Sequence, residues 1–159
     1  MKALIVYDSV FGNTEKVAQS IGETIGSQGQ VETLPVSQVT LDQLRGLEIL
    51  IVGSPTRSFR PTPAISQFLK ALPKNYLAGI NVAAFDTRIW LNTIDSAAFR
   101  FLVDKGGYAA NTMAKALTRK GGNPIVPPEG FLVTGEQGPL KEGELERAAE
   151  WAREILITM

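Results

Sequence analysis

The sequence contains neither cysteine nor histidine among its 159 residues. The absence of cysteine excludes disulfides, thiolate nucleophiles and iron–sulfur clusters. Without cysteine or histidine, we expect no zinc or haem site, and neither a Ser-His-Asp nor a Cys-His catalytic pair can be built. We therefore predict no catalytic residues and no metal site, and redox or acid–base chemistry would require a bound cofactor.

The chain also lacks net charge and long apolar runs. Its 16 basic and 16 acidic residues cancel, so the whole molecule has no long-range field that favours nucleic acid or an anionic membrane, although a local patch is compatible with this balance. No apolar stretch approaches the ~20 residues that span a bilayer. The first residues lead directly into an apolar strand without a leader pattern, which favours a cytoplasmic location.

Length and composition predict one compact domain over residues 1–159. The chain is 44% hydrophobic and 20% charged, which is typical of a globular domain with a sizeable core. We find no repeats, low-complexity segments or linker.

Apolar runs predict the strands. Residues 3–7 and 49–52 are continuously apolar, as expected of strands that are covered on both faces of a parallel sheet. Residues 80–85 are a third strand candidate. A further strand candidate joins Ile125-Val126 to residues 131–133 across Pro127-Pro128. Residues 31–36 are more polar and contain Pro35, which cannot donate to a ladder, so we place this strand at the sheet edge.

Between the strands, apolar residues recur with helical spacing. The first two stripes are Val17, Ile21 and Ile25, and then Ile65, Phe68, Leu69 and Leu72. A closing helix has the apolar stripe Leu145, Ala148, Ala149, Ala152, Ile155 and Leu156, with Glu144, Glu146, Arg147 and Glu150 predicted to face water. Another helix is predicted over residues 109–117, extending from about Ser96 with a break at Gly106-Gly107.

Strands and helices thus alternate about five times. This order predicts a doubly wound α/β fold, in which a five-stranded parallel sheet lies between two helical layers and right-handed crossovers join the strands. With the Pro35 strand at the edge, we predict the strand order 2-1-3-4-5. The ligand crevice of such a sheet lies at the carboxyl ends of strands 1 and 3.

The segment after the first strand has the features of an anion site. It reads Ser9-Val10-Phe11-Gly12-Asn13-Thr14, and a helix is predicted to begin near Thr14. A helix N-terminus directs backbone N–H groups and a positive dipole at a ligand, and Gly12 can adopt the positive φ of a phosphate-binding nest. The alternative is that Asn13 or Thr14 only caps the helix and Gly12 only turns the chain.

These residues resemble the phosphate loop of the flavodoxin family, whose pattern is Thr/Ser-x-Thr/Ser-Gly-x-Thr. Phe11 departs from the pattern, since it stands where the family has a hydroxyl. Gly53-Ser54-Pro55-Thr56 is similar to the family's loop over one face of the flavin ring. The segment that contains Asp86, Thr87, Arg88 and Trp90 matches the third flavin loop by position. The likeness covers essentially the whole chain, and the short link before Gly130 resembles the short-chain flavodoxins.

The resemblance implies that FMN is the cofactor and that three segments bind it. The implied cofactor-binding residues are Ser9, Val10, Phe11, Gly12, Asn13, Thr14, Ser54, Pro55, Thr56, Arg57, Ser58, Phe59, Asp86, Thr87, Arg88 and Trp90. Among them, Phe59 and Trp90 are the candidates for stacking on the ring, because aromatic stacking adds ~0.5–1.5 kcal/mol beyond burial. The alternative is that both are ordinary core aromatics.

The sequence departs from typical members in two respects. Typical flavodoxins are strongly acidic, whereas this chain is neutral, and Arg57, Arg60 and Arg88 fall in the loops expected around the ring. A nearby guanidinium would stabilise the reduced anionic flavin and make the reduction potential less negative, unless these arginines are simply solvated. No glycine occurs between Gly53 and Gly79, so the second loop is expected to be stiff.

Three functions are compatible with these residues. The first is an electron carrier that shuttles electrons through FMN between redox protein partners, acting as a monomer or weak homodimer. The second is an FMN-dependent oxidoreductase that reduces a quinone or similar small acceptor, with the loop arginines binding that acceptor. The third is a flavin-free interaction domain.

Overall fold

The computed structural model describes residues 1–90 and 107–159. Six strands and four α-helices are found there, together with the 3₁₀ turns Val36–Gln38 and Leu41–Leu44. In chain order these are β1 (Lys2–Tyr7), α1 (Asn13–Gly26), β2 (Gln30–Pro35), β3 (Ile49–Pro55), α2 (Pro63–Ala71), β4 (Asn81–Ile89), α3 (Ala109–Arg119), β5 (Asn123–Pro124), β6 (Glu129–Val133) and α4 (Glu144–Thr158). The predicted extension of α3 back to Ser96 falls mostly outside the described residues.

The strands form one parallel sheet in the order β2-β1-β3-β4-β5, and β6 also pairs with β4. The predicted order 2-1-3-4-5 is confirmed, with β2 at the edge. The last strand position is divided, because β5 pairs with the start of β4 and β6 with its end. Ile125-Val126 was wrongly predicted as part of a strand. The strand pieces flank this dipeptide and Pro127-Pro128, which cannot donate to a ladder.

Two apolar cores cover the faces of the sheet. Alternate residues of a strand point to opposite faces, so Ile5 packs with α1 and α4 while Leu4 packs with α2 and α3. Both side chains are almost fully buried, and burial of each stabilises the fold by about 1.5–3 kcal/mol. The predicted arrangement of helices on both faces of a doubly wound sheet is confirmed.

Two residues at the start of α4 differ from the prediction. Glu144 was predicted to face water, but it is 5% exposed, whereas Leu145 was assigned to the buried stripe and is 42% exposed. The reason is that α4 begins at Glu144, whose carboxylate turns toward β6 and accepts the N–H of Leu132 at 2.6 Å. Further along, Ala148, Ala152 and Ile155 are fully buried as predicted.

No helix among residues 1–90 and 107–159 combines the length and the apolarity needed to cross a membrane.

Candidate functional site

A cavity of about 290 Å³ opens at the carboxyl ends of β1, β3 and β4, where the fold was predicted to hold its ligand. Its lining comes from four segments: the loop after β1 with the start of α1, the segment after β3, the end of β4, and the chain from the end of β6 onward. The lining residues are Val10, Phe11, Asn13, Thr14, Pro55, Thr56, Arg57, Ser58, Thr87, Arg88, Ile89, Val133 and Glu136.

Most of the residues implied by the resemblance therefore meet at one cavity. Six of them are not in its lining: Ser9, Gly12, Ser54, Phe59, Asp86 and Trp90. The lining also contains three residues that sequence reasoning missed: Ile89, Val133 and Glu136. Ile89 and Val133 are paired in register at the ends of β4 and β6, so the predicted strand order contained a signal for them. Glu136 follows in the next loop and had no such signal.

The loop after β1 is organised by Ser9. Its hydroxyl oxygen accepts the N–H of Gly12 at 3.1 Å and, weakly, the N–H of Glu15 at 3.4 Å, while its own N–H donates to Asp8. Gly12 has φ 93° and a Cβ there would meet no atom within 4 Å, so the left-handed backbone and not lack of space favours glycine. The turn directs the first N–H groups of α1 and the positive end of the helix dipole to the sheet edge.

Two side chains of α1 connect this loop to the rest of the site. The hydroxyls of Thr14 and Thr87 are 2.8 Å apart and buried, which joins the start of α1 to β4. The amide Nδ2 of Asn13 donates to the carbonyl of Gln137 at 3.1 Å, which joins it to the loop after β6. Both threonines line the cavity, so two hydroxyl groups from different elements lie together on its wall.

The segment after β3 is fixed by hydrogen bonds at Ser54 and Thr56. Ser54 is fully buried, and its hydroxyl accepts the N–H of Thr62 at 3.0 Å. Thr56 donates its N–H to the carbonyl of Thr87, and its hydroxyl oxygen accepts the N–H of Ala109, both at 2.9 Å. Ser54 therefore holds the loop together, while Thr56 ties it to β4 and α3.

The loop then forms a tight turn. Arg57 and Arg60 exchange two backbone hydrogen bonds of 2.9 and 3.0 Å, and the residues between them, Ser58 and Phe59, have φ of 50° and 66°. Two consecutive positive φ values are typical of type I′ turns, which favour Asn and Gly, and each costs about 1–3 kcal/mol in other residues. The guanidinium of Arg57 lies 5.6 Å from the ring centre of Phe11 across the cavity mouth.

The third predicted binding segment lies in a strand and not in a loop. Asp86, Thr87 and Arg88 were predicted to follow strand 4, but β4 runs to Ile89 and these residues belong to it. The register explains this, because Ser54 and Pro55 extend β3 alongside Asp86 and Thr87, while β6 pairs with the other side. Side chains that sequence reasoning placed in a loop are therefore held by a strand with neighbours on both sides.

Asp86 and Arg88 form a bidentate ion pair with distances of 2.7 and 2.9 Å. The carboxylate is 0% exposed and also accepts the N–H of Ala110, in the first turn of α3. The guanidinium lies 3.5 Å from the ring centre of Tyr108 and so close to Gly130 that a Cβ there would be 2.1 Å from it. Only glycine at position 130 leaves room for this pair.

Burial raises the pKa of the Asp86 carboxyl, against the opposing effects of Arg88, the Ala110 N–H and the Thr56 hydroxyl. The positive charge of Arg88 at the cavity wall is thus offset by a carboxylate directly behind it. Arg57 lines the same cavity but is exposed and takes part in no ion pair among the described residues. The two arginines therefore present different effective charges to the cavity.

Trp90 follows β4 directly and donates its N–H to the carbonyl of Val133 at 2.8 Å. The ammonium of Lys141 lies 4.7 Å from the ring centre of the indole. Neither Trp90 nor Phe59 lines the cavity, so stacking of either ring on a ligand stays a prediction.

Comparison with known proteins identifies the family. The model of the flavodoxin domain matches residues 4–123 of this chain. The chain belongs to the flavodoxin family. Flavodoxins bind FMN, and FMN is the cofactor of this member.

Solved structures agree with this assignment over the full length. A flavodoxin from the domain Archaea is 25% identical, with a TM-score of 0.74 over 98% of this chain and 96% of that one. Oxidised Flavodoxin 2 from Bacillus cereus is 20% identical, with a TM-score of 0.76 and complete coverage of both chains. The flavodoxin-like fold is therefore common to all three.

One curated relative has a different length. An uncharacterized protein of Methanocaldococcus jannaschii is 28% identical over 93 residues, which are 52% of this flavodoxin and 24% of that protein. This flavodoxin therefore matches about a quarter of the curated relative's length.

Proposed function

We propose that this flavodoxin is an electron carrier that holds FMN in the cavity at the carboxyl ends of β1, β3 and β4 and exchanges electrons with protein partners. The observation that carries the proposal is the meeting, in one cavity, of a helix N-terminus and buried hydroxyls with apolar walls. FMN needs both kinds of surface, because it joins a phosphate to a large planar ring. The cavity volume of about 290 Å³ lies near the lower end of the range for ligand sites, about 300–1,000 Å³.

The phosphate would bind to the loop after β1 and the start of α1. The left-handed Gly12 turn and the first N–H groups of α1 favour an anion, and Asn13, Thr14 and Thr87 offer polar atoms to it. Phe11 supplies no hydroxyl at its position in the loop. Thr87, whose hydroxyl lies 2.8 Å from that of Thr14, brings a further one from β4.

The ring would lie against the apolar part of the cavity, between the loop after β1 and the ends of β3 and β4. Val10, Phe11, Pro55 and Ile89 provide this surface. Val10 and Phe11 are also 47% and 44% exposed, so they form an open rim where a partner can approach the ring edge.

Bound FMN supplies the capacity to take up and release electrons, and the chain itself binds, orients and shields it. The hydrogen bond from Thr56 N–H to Thr87 and the stiff turn at Ser58-Phe59 hold the second loop in place. No histidine or cysteine exists in the chain to act as an acid, base or nucleophile. These features favour a carrier over an enzyme with its own covalent chemistry.

The alternative is an FMN-dependent reductase of a small acceptor. The observation that favours it is Arg57, which lines the cavity and whose exposed guanidinium forms no ion pair with any described residue. Anaerobic titration of the FMN-loaded protein with dithionite distinguishes the two. A carrier is expected to show and keep the long-wavelength absorption of the one-electron reduced flavin. Direct bleaching in a two-electron step, together with NADH-driven reduction of a quinone, would favour the reductase.

The placement of the phosphate has a separate test. Replacing both wall hydroxyls in the variant Thr14→Val/Thr87→Val is expected to weaken FMN binding about tenfold. Each hydrogen bond to a charged group contributes about 1.5–3 kcal/mol, and a water molecule that bonds to the phosphate instead recovers part of this free energy. Thr24→Val is the matched control, because its hydroxyl bonds within α1 to the carbonyl of Ser20. FMN affinity is read from flavin fluorescence quenching. Equal affinity of the double variant and the control would contradict the placement.

A further inference from the structure

Among the described residues, the layer of α2 and α3 contains basic but no acidic side chains, whereas the layer of α1 and α4 contains charges of both signs, mostly acidic. The sequence has no acidic residue between Glu48 and Asp86, and none in residues 107–128. These segments build α2, α3 and their flanking turns, whose exposed cations are Arg57, Arg60, Lys70, Lys74, Lys115 and Arg119. The opposite layer, α1 and α4, contains the carboxylates Glu15, Glu23, Glu144, Glu146, Glu150 and Glu154.

We call Arg60, Lys70, Lys115 and Arg119 the basic face. None of these cations takes part in the ion pairs found among residues 1–90 and 107–159, which lie elsewhere in the fold. All four are exposed. Cations without local counter-charges sum to a positive potential over the surface even though the net charge of the chain is zero.

A second cavity of about 260 Å³ lies on this face between α2 and α3. Its lining includes the apolar residues Pro61, Leu69 and Ala116 together with the basic residues Lys70 and Arg119. Lys120 also lines it, but its ammonium already donates to the carbonyls of Lys70 and Leu72. An apolar depression with charged groups around it matches the usual anatomy of a protein interface, an apolar centre with a polar rim.

The basic face is continuous with the FMN cavity. Arg57 lines that cavity, Arg60 is its backbone partner in the tight turn, and Pro61, the next residue, lines the second cavity. A protein bound across α2 and α3 would therefore lie beside the opening through which electrons enter or leave. A basic surface that binds nucleic acid would not need to lie beside this cavity.

We propose that the basic face is the docking surface for an acidic electron-transfer protein, whose carboxylates pair with Arg60, Lys70 and Arg119 beside the FMN cavity. The inference rests on the proposed carrier function. Complementary charge mainly accelerates association, so its signature is the salt dependence of the rate of electron transfer.

The test uses two acceptor proteins of opposite charge, an acidic blue-copper protein and a basic c-type cytochrome. The FMN-loaded chain is reduced with dithionite and mixed with each acceptor in a stopped-flow instrument. Each event moves one electron from the reduced flavin to Cu(II), giving Cu(I), or to ferric haem, giving ferrous haem. We expect the rate constant with the acidic acceptor to fall about tenfold or more between low and high salt, and that with the basic acceptor to rise or stay constant.

Charge reversal locates the surface. Arg119→Glu and Lys70→Glu are each expected to lower the low-salt rate with the acidic acceptor several-fold. Arg153→Glu is the matched control, since Arg153 is an exposed arginine on α4 and its reversal changes the net charge equally. Arg119→Gln, which keeps the size of the side chain without a new charge at the end of α3, should have about half the effect on the logarithm of the rate.

Two results would overturn the inference. The first is a rate constant with the basic acceptor that is higher at low salt than at high salt. The second is an equal reduction, by Arg153→Glu and Arg119→Glu, of the low-salt rate with the acidic acceptor. Failure of the carrier function is distinguished separately. If the chain takes up no FMN or the flavin passes no electrons to either acceptor, docking is measured by titrating the chain with the blue-copper protein at low salt in a calorimeter. If the two proteins bind, and Arg119→Glu weakens the binding while Arg153→Glu does not, the docking surface is supported. Absence of binding would reject it.

Discussion

Two buried carboxylate–arginine pairs flank β6 and differ in what surrounds them. Asp86 pairs with Arg88 beside the cavity proposed to hold FMN, and Glu144 pairs with Arg147 at the start of α4. The side chain of Asp86 is 0% exposed and that of its arginine 20%, whereas Arg147 is 37% exposed. Arg88 packs against Gly130, and Arg147 donates to the carbonyl of that same glycine.

The two carboxylates respond oppositely to these surroundings. Burial dominates at Asp86 and raises its pKa. Burial also raises the pKa of Glu144, but the hydrogen bonds from Arg147 and from the Leu132 N–H lower it by more. The pKa of Glu144 therefore lies below its ordinary value. We infer that the Glu144 pair stabilises the attachment of α4 to β6, while the Asp86 pair is retained at a cost to stability because it sets the charge beside the cofactor.

The largest effect is expected from removing the carboxylate of the deeper pair. Asp86→Asn should lower the free energy of unfolding of the FMN-free protein by about 3 kcal/mol, because Arg88 is left without its counter-charge in a largely buried place. Urea denaturation measures this. The double variant Asp86→Asn/Arg88→Gln should recover part of the loss, and a double variant less stable than the single one would contradict the account.

The more exposed pair should contribute less. Glu144→Gln is expected to lower the free energy of unfolding by about 1–2 kcal/mol, since the amide keeps a hydrogen bond to Leu132 N–H while the ion pair with Arg147 is lost. The same urea experiment applies. If Glu144→Gln costs more than Asp86→Asn, depth of burial is not what separates the two pairs.

The reduction potential of bound FMN should distinguish the charges at the cavity. Asp86→Asn leaves the charge of Arg88 uncompensated and should favour the reduced anionic flavin. We expect the protein to bind reduced FMN about tenfold more tightly relative to oxidised FMN, which makes the one-electron reduction potential less negative by ~59 mV. Arg88→Gln should shift the potential little, because an unpaired buried Asp86 takes up a proton. Glu144→Gln, away from the cavity, is the control.

Arg57 completes this comparison as an arginine that forms no ion pair within residues 1–90 and 107–159. Arg57→Gln should make the potential more negative by less than the Asp86→Asn shift, because an exposed charge is screened, and the difference should disappear in high salt. Potentials are measured by equilibration with reference dyes. A salt-independent effect of Arg57, or a large effect of Arg88→Gln, would reverse the roles assigned to the two residues.

The smallest expected effect is on the pH dependence of stability. The raised pKa of Asp86 means that its contribution is most favourable below about pH 4, the unfolded value, and is lost as pH rises through the folded pKa. The lowered pKa of Glu144 contributes stability above about pH 4.3, which is lost as pH falls through its folded pKa. The stability difference from Asp86→Asn should therefore change as pH rises above about 4, whereas that from Glu144→Gln should stay nearly constant there and shrink as pH falls below about 4.3. Parallel curves would reject the assigned directions.

Much of the fold was predictable because its signals are local. The apolar runs marked β1, β3 and β4, the helical stripes marked α1 and α2, and Pro35 marked the edge strand. The start of the last strand was misplaced, since two prolines interrupt it and the pairing depends on β4. The sequence wrongly predicted an exposed Glu144 and a buried Leu145, because the orientation of a helix end depends on the element it packs against.

By itself, the sequence determined the fold class, the strand order and the exclusion of thiol and histidine chemistry, because these follow from residue types and their periodicity. Its loop motifs carried the resemblance to the family. Only the tertiary structure decided which arginine has a buried counter-charge. Asp86 and Arg88 lie two residues apart on one strand, and such residues face the same side of a sheet, but their pairing is buried only because Gly130 and Tyr108 enclose it. Tertiary packing likewise brought Thr87 to Thr14 and gathered the basic residues of two separate segments onto one face.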